Sequence, residues 1–332
     1  MSSVRQLAKL AGVSPSTVSR VLRNAPYVRA DVRERVLDIA ARLAYHPHTE
    51  QAQQRCAIGC IVPTVSDPYS ARLLGGIAAY AYAEAYRVIV MESHSQLGLT
   101  CQALHRLQAQ QVAGVLLFTG HEEPIPSATL FECWSRNVAL VKLAPFPCDT
   151  PIDAVYCENG FADSGVAYLQ QLGHRRILIV GQRFVANAHG LHPRFEHLSL
   201  AVRQRGAHLV GVLDSEQEVP EIIRLLKGQA SQRPTAIMAE DDAQAARVLC
   251  ALLEHGVRVP HDVSLLGCGN HAFCEHLAPR LTSLDFQPEA IGRLALDLVL
   301  RRAATTEDAI TPEIITVNPT VVVRESCAPP RL

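Results

Sequence analysis

Residues 4–23 read VRQLAKLAGVSPSTVSRVLR, and this stretch decides how the rest of the chain is understood. Val4, Leu7, Ala8 and Ala11 fall at i, i+3, i+4 and i+7, one apolar stripe on a short helix. Gly12 ends it. Ser14 is an N-cap residue by type and Pro15 sits at a first helical position, so a second helix should start here and turn Val18, Val21 and Leu22 inward. Two short helices joined by a Gly-containing turn make a helix-turn-helix. In that motif the second helix lies in the DNA major groove, which would bring Pro15, Ser16 and Arg20 to base edges. Arg20 has the planar fork that matches the two acceptors of guanine. Ser14, Thr17 and Ser19 carry hydroxyls suited to phosphate oxygens, and Arg23 adds a cation one turn further on. Taken alone, the pattern serves a surface helical hairpin equally well.

The charge distribution separates the two readings. Residues 1–55 hold nine Lys/Arg and four acids, a charge of +5, whereas the remainder holds 22 basic and 28 acidic residues, a charge of −6. Only the head has the electrostatics of a polyanion binder. With 332 residues and 48% hydrophobic content the chain should form more than one domain with sizeable cores. No apolar run approaches the roughly 18–20 residues of a membrane span, and the N-terminus lacks the layout of a secretory signal, so the cytoplasm is expected. The ten cysteines contain no C-x-x-C pair and are scattered through apolar patterns, which reads as reduced core residues. His189, His192 and His197 lie close together, but no helical H-x-x-x-H pair or neighbouring cysteine turns them into a metal site. No metal or cofactor is expected.

Beyond the hairpin, a third helix over about 31–44 closes a small all-α head of residues 1–47, ended by Tyr45-His46-Pro47. Residues 48–56 read as a polar linker. From Ala57 the pattern becomes βα alternation, which predicts parallel sheets covered by helices. Two α/β halves of similar size are expected. The first covers about 57–150 and the second about 151–284, starting with the strand AVYC. The tail, with helix 288–302 and a strand pair at 313–317 and 320–323, is long enough to return and lace them, giving about 285–317 to the first half and 318–332 to the second. A cleft between such halves is a usual place for a small ligand. Neither G-x-G-x-x-G nor G-x-x-x-x-G-K-[ST] occurs in the loops that would face it, nor a G-x-S-x-G elbow. The lone Trp134 is expected to pack a helix onto the first sheet.

These residues together resemble the lactose-repressor (LacI/GalR) family of transcription regulators. LAKLAGVSPSTVSRVL is similar to the family's DNA-binding signature, and RERVLDIAARLAYHP to its third helix with the Tyr-x-Pro that follows. IGCIVP, QLGHRRI, PTAIMAEDDAQA, VRVPHDVSLLG and LTSLDFQP each resemble a family block, in the family's order. The resemblance implies a homodimer, with a tetramer open, that binds a palindromic operator in double-stranded DNA through two heads. It also implies a two-lobed core, like a periplasmic binding protein, that senses a small-molecule effector. By position it carries base reading to Pro15, Ser16 and Arg20, and effector contact to Arg194 and Asp242. Tyr69 and Ser70 stand where aromatic lining residues are frequent, and Asn270 follows the strand that ends at Gly267.

The chain departs from the family in two places. The family's linker carries Asn, then Ala-Arg, then a Leu that wedges into the minor groove; here the hinge positions hold His48, Gln51, Ala52 and Gln54. Gln54 cannot unstack a base step as an apolar wedge does, so weaker or differently shaped bending is expected. Where relatives show Gly-aromatic-Asp, this chain has Cys268-Gly269-Asn270, and Cys157-Glu158 replaces a common Asp-Asn. With two acidic contacts missing or moved, and His189, His192 and His271 added, an anionic ligand such as a sugar acid or phosphate gains over a neutral sugar. The reading is a regulator, a repressor answering to a small polar metabolite, with no enzymatic activity. A regulator that needs its ligand as corepressor is the alternative, and a solute-binding protein is a remoter one that the basic head opposes.

Overall fold

The computed structural model describes the chain except for residues 1–3, 23–24, 26, 43–55, 120–123, 145–150, 158–159, 182–192, 215–217, 306–310 and 332. Arg23 and the hinge positions Gln51, Ala52 and Gln54 therefore lie outside the described residues. Three helices form the head: α1 (Val4–Ala11), α2 (Pro15–Leu22) and α3 (Ala30–Arg42). Leu7, Ala8 and Ala11 on α1, Val18 and Val21 on α2, and Val36 and Ala40 on α3 are buried against one another. Gly12 takes φ +66°, and Val13 N donates to Ala8 O at 3.0 Å, which closes the end of α1 as a Schellman turn. Only a residue tolerant of positive φ fits there.

The rest of the chain builds two parallel-stranded sheets. The first comes from β1 (Ala57–Val62), β2 (Arg87–Glu92), β3 (Gly114–Leu117), β4 (Ala139–Ala144), β5 (Asp153–Cys157) and β11 (Ile314–Val317), in spatial order β11-β5-β4-β3-β1-β2. Central β1 is buried along its whole length whereas edge β2 is partly exposed, as expected of a sheet covered on both faces. Its helices are α4 (Pro68–Ala83), α5 (Leu97–Ala109), α6 (Ser127–Ser135) and α11 (Pro288–Ala304). The second sheet holds β6 (Arg176–Gly181), β7 (His208–Asp214), β8 (Ala236–Ala239), β9 (Ser264–Cys268), β10 (Thr282–Asp285) and β12 (Thr320–Val322), in the order β12-β10-β9-β8-β6-β7. Only β12 runs antiparallel to its neighbour. Helices α7 (Gly160–Gln171), α8 (Pro193–Gln204), α9 (Glu218–Lys227) and α10 (Asp242–Glu254) belong with this sheet.

Two compact units result: Met1–Tyr156 with Pro288–Val317, and Cys157–Gln287 with Asn318–Leu332. Three sequence expectations need correction here. The strand AVYC does not open the second half; as β5 it pairs in parallel with β4, from Val141↔Asp153 to Ala144↔Tyr156, and the chain changes unit at Cys157. The sequence before it carries no signal of which sheet the strand joins. The strands near 313–317 and 320–323 do not pair with each other, because β11 joins β5 and β12 joins β10. Cysteines 60, 133, 157, 268 and 274 are buried as expected, but Cys56 precedes the first strand and Cys250 faces outward on α10, and both are exposed. Trp134 is 2% exposed within the cluster of Leu104, Leu130 and Phe131, where burial of each large side chain contributes about 1.5–3 kcal/mol.

Candidate functional site

The head presents a polar face built by the capping that starts α2. Ser14 Oγ accepts from Thr17 N at 3.1 Å and lies 2.8 Å from both Ser16 Oγ and Thr17 Oγ1. That hydroxyl cluster fixes the start of the helix. With Val18 and Val21 turned into the head core, Ser14, Pro15, Ser16 and Arg20 are exposed, and Thr17 and Ser19 are half-buried beside them. Ser16 and Arg20 are one helical turn apart and so share a face. The structure thus leaves the residues expected to read bases exposed, and Tyr27, in the turn before α3, is 97% exposed as well. Its sequence signal is an aromatic in the polar stretch between α2 and α3.

In each core unit the carboxyl ends of the parallel strands, where ligands of α/β sheets bind, carry a set of polar and aromatic groups. In the first unit Asp67 caps α4, its Oδ2 accepting from both Ser70 N and Ser70 Oγ at 2.8 Å. Ser70 is wholly buried, its hydroxyl engaged in that cap. Tyr69 lies against Phe118, ring centroids 5.3 Å apart, at the end of β3. Glu92, at the end of β2, accepts from Val65 N at 2.7 Å and Thr64 Oγ1 at 2.9 Å, and these bonds hold its carboxyl below the usual range. Phe118 was not singled out from sequence, because a Phe ending an apolar strand reads as core.

In the second unit one carboxylate organises the turn after β9. Asp242 is wholly buried; Oδ1 accepts from Ser283 Oγ at 2.6 Å and Oδ2 from His271 N at 2.8 Å. Asn270, at φ +51°, takes a bond from Arg324 Nη2 on Oδ1 at 2.8 Å and donates through Nδ2 to Asp285 Oδ2 at 2.9 Å. Both residues expected to touch a ligand therefore spend these bonds inside the protein, where they hold the turn. His271 emerges instead. Gly269 has φ +122°, and a β-carbon there would lie 2.9 Å from His271 Nε2, so the imidazole occupies the space a side chain at 269 would need. Its Nδ1 faces Asp242 Oδ2 at 3.9 Å, and its ring lies 5.6 Å from that of Phe273. Ser283 and Arg324 were invisible to local sequence patterns because their partners lie 41 and 54 residues away. Arg194 falls on α8, and its side chain lies outside the described ones, as do His189, His192 and His197. Among the described residues no group of three His, Cys, Asp or Glu side chains is placed to hold a metal ion, and no helix is long and apolar enough to cross a membrane.

A helix-turn-helix head joined to two α/β units with polar carboxyl ends defines a ligand-responsive DNA-binding regulator. Comparison with known proteins agrees along the whole chain. Residues 3–48 match the family model of bacterial regulatory proteins of the lacI family, and residues 166–327 match that of the periplasmic binding protein-like domain. The HTH-type transcriptional repressor PurR of Proteus mirabilis (strain HI4320) is 28% identical over 340 residues, covering 99% of this chain and 97% of that protein. The repressor of the same name from Pectobacterium carotovorum subsp. carotovorum (strain PC1) is 27% identical over the same shares. Among solved structures, the lac repressor dimer bound to operator and the anti-inducer ONPF has the same fold, with a TM-score of 0.65, 22% identity, and coverage of 98% and 99% of the two chains. The CelR–cellobiose complex superposes with a TM-score of 0.64 at 23% identity, over 98% of this chain and 100% of that one. The chain thus carries a DNA-binding domain of the lacI family followed by a periplasmic binding protein-like domain, and along its whole length it is similar to transcriptional repressors.

Proposed function

We propose that the protein works in the cytoplasm as a homodimer that represses through a two-fold symmetric operator, and that its operator affinity is set by a small hydroxylated metabolite carrying a carboxylate or phosphate. Pairing of heads supports this on energetic grounds, since one small head binds weakly and two linked heads multiply affinity. In this reading Arg20, Pro15 and Ser16 read bases, Ser14, Thr17, Ser19 and Arg23 meet phosphates, and Gln51, Ala52 and Gln54 form the hinge. Tyr69 with Phe118 supplies an apolar wall for the effector, Arg194 a cation, and Asp242, Ser70 and Asn270 hold their neighbours in place.

The observation that carries the ligand class is the exchange at the turn after β9. Family resemblance leads one to expect a carboxylate at position 270, yet Asn270 carries an amide that is bonded to Asp285 and Arg324, and the His271 ring fills the space beside Gly269. A carboxylate can only accept from ligand hydroxyls, whereas an imidazole, here with Asp242 Oδ2 3.9 Å from Nδ1, can present Nε2 as an acceptor to a hydroxyl or as a donor to an anionic oxygen according to its tautomer. Calorimetric titration of the full chain with glucose, gluconate and glucose 6-phosphate tests the class, with each heat repeated on His271→Ala. Binding of an anionic sugar in preference to glucose, weakened in that variant, supports the reading. Tight binding of glucose that ignores both His271→Ala and Arg194→Ala overturns it. Gel shifts with operator plus the tight-binding ligand then give the sign of coupling, which a ligand can exert only through different affinities for the two states.

A further inference from the structure

The second core unit has a cavity that the effector reading does not use. It opens at the amino ends of β6, β8 and β9, the edge of the sheet opposite the 267–271 turn, and encloses about 750 Å³. Among the described residues six cations line it, Arg175, Arg176, Lys227, Arg233, Arg258 and Arg331, against a single carboxylate, Asp262. In a chain whose formal charge is −1 this is a marked concentration.

Helix ends explain part of it. Helices α7, α9 and α10 finish at this edge, and each C-terminus is worth roughly half a negative charge, so with Asp262 they offset about two and a half of the six cations. A surplus of about three and a half remains. Some of the cations are tied to the frame. Arg176 Nε donates to Arg233 O at 2.6 Å, Arg233 Nη2 to Gly228 O at 3.0 Å, and Arg258 pairs with Asp262 at 2.9 Å. The positive field registers on Asp262, whose carboxyl is held down at about 2, first by the bonds from Arg258 and further by the charge of Arg331. Arg331 itself sets Nη2 3.2 Å from His261 Nδ1, a guanidinium against an imidazole rather than a carboxylate. Arg175 and Lys227 are exposed at the rim.

We propose that this cavity binds a small metabolite carrying two or more phosphoryl groups, at a site separate from the effector site. Its volume lies in the range of small-ligand pockets, about 300–1,000 Å³, rather than forming an open track for a nucleic-acid backbone. Guanidinium forks matched to phosphate oxygens, a lysine as a mobile point charge, and an apolar floor of Ile223, Leu226 and Val263 give both recognition and partial exclusion of water. The surplus of positive charge is of the size that a diphosphate neutralises.

Calorimetry of the full chain with inorganic pyrophosphate, at constant ionic strength in chloride, tests the site. Saturable binding of one pyrophosphate per chain is expected, weakened at least tenfold in an R175A/K227A/R331A variant and within twofold of wild type in an R87A/R293A control. Arg175→Ala alone, an exposed change that leaves the frame bonds intact, should weaken it about threefold and covers the case in which the triple variant fails to fold. His271→Ala should bind pyrophosphate as wild type does, which keeps this result independent of the effector reading. Absence of saturable binding, equal weakening in the control, or loss in His271→Ala overturns the proposal. So does a finding that random-sequence duplex DNA, and not pyrophosphate, is held through the same three cations.

Discussion

Ser283 on β10 donates through Oγ to the wholly buried Oδ1 of Asp242 on α10, 2.6 Å away. The same carboxylate takes the His271 amide on Oδ2, and a β-carbon at Gly267 would lie 2.2 Å from Oδ1, so strand, turn and helix meet at one side chain. Asp242→Ala removes the carboxylate acceptor of both the Ser283 hydroxyl and the His271 amide, and should lower stability in urea unfolding by about 2–4 kcal/mol. Asp242→Asn keeps one acceptor and should cost about half as much. Both variants should also weaken effector binding, through displacement of His271.

The two glycines in the middle of α4 predict opposite effects. A β-carbon at Gly76 would sit 2.3 Å from Glu289 O, and one at Gly292 would sit 2.5 Å from Leu73 O, so α4 and α11 approach backbone to backbone. Gly75, its neighbour, has nothing within 4 Å. Gly76→Ala should destabilise by about 1–3 kcal/mol through overpacking, while Gly75→Ala should stabilise by about 0.5–1 kcal/mol through helix propensity. Thermal unfolding of the two single variants compares them directly.

His174 links β6 to the C-terminal tail, with Nε2 2.9 Å from Ala328 O and the residue wholly buried. Burial pushes its pKa below the ordinary 6.5, only partly opposed by the bond to Ala328. The unfolded chain takes up a proton near pH 6.5 that the folded chain refuses, so this residue's contribution to stability is complete above that pH and is lost as pH falls from 6.5 toward the lowered folded value. Urea midpoints at pH 7.5 and 5.5 should therefore differ more in wild type than in His174→Gln.

Ser14 and Arg20 separate building the reading helix from using it. Ser14→Ala removes the acceptor of Thr17 N and should cost the head about 1 kcal/mol, lowering binding to every duplex alike. Arg20→Ala, on an exposed position, should leave the melting temperature unchanged and reduce discrimination between operator and mutated operator by about 1–3 kcal/mol. Circular dichroism melts with competition gel shifts distinguish the two outcomes.

What could be read before any coordinates was governed by range. Gly12, Ser14 and Pro15 act within one turn of the chain, so the head's helix boundaries followed from the sequence, and the alternation after Ala57 gave most strands and helices of the core. The sheet that β5 joins depends on its pairing with β4, and the strand's own apolar pattern suits either sheet. The site behaved in the same way. Arg20 and Ser16 are exposed by the phase of their own helix. Asp242 and Asn270 are oriented by Ser283, Asp285 and Arg324, distant in sequence, and those partners engage two expected ligand contacts inside the protein, while the His271 ring, 14% exposed, packs beside Gly269.

The central claim, that a cationic head reads duplex sequence as a symmetric pair, is tested most directly by selecting binders for the full chain from a random duplex library. The account predicts an enriched inverted repeat, with half-sites about one helical turn apart, bound by two chains and no longer enriched with Arg20→Ala. Enrichment of no sequence over bulk competitor, by a protein that sediments as a monomer in the presence of DNA, would contradict it.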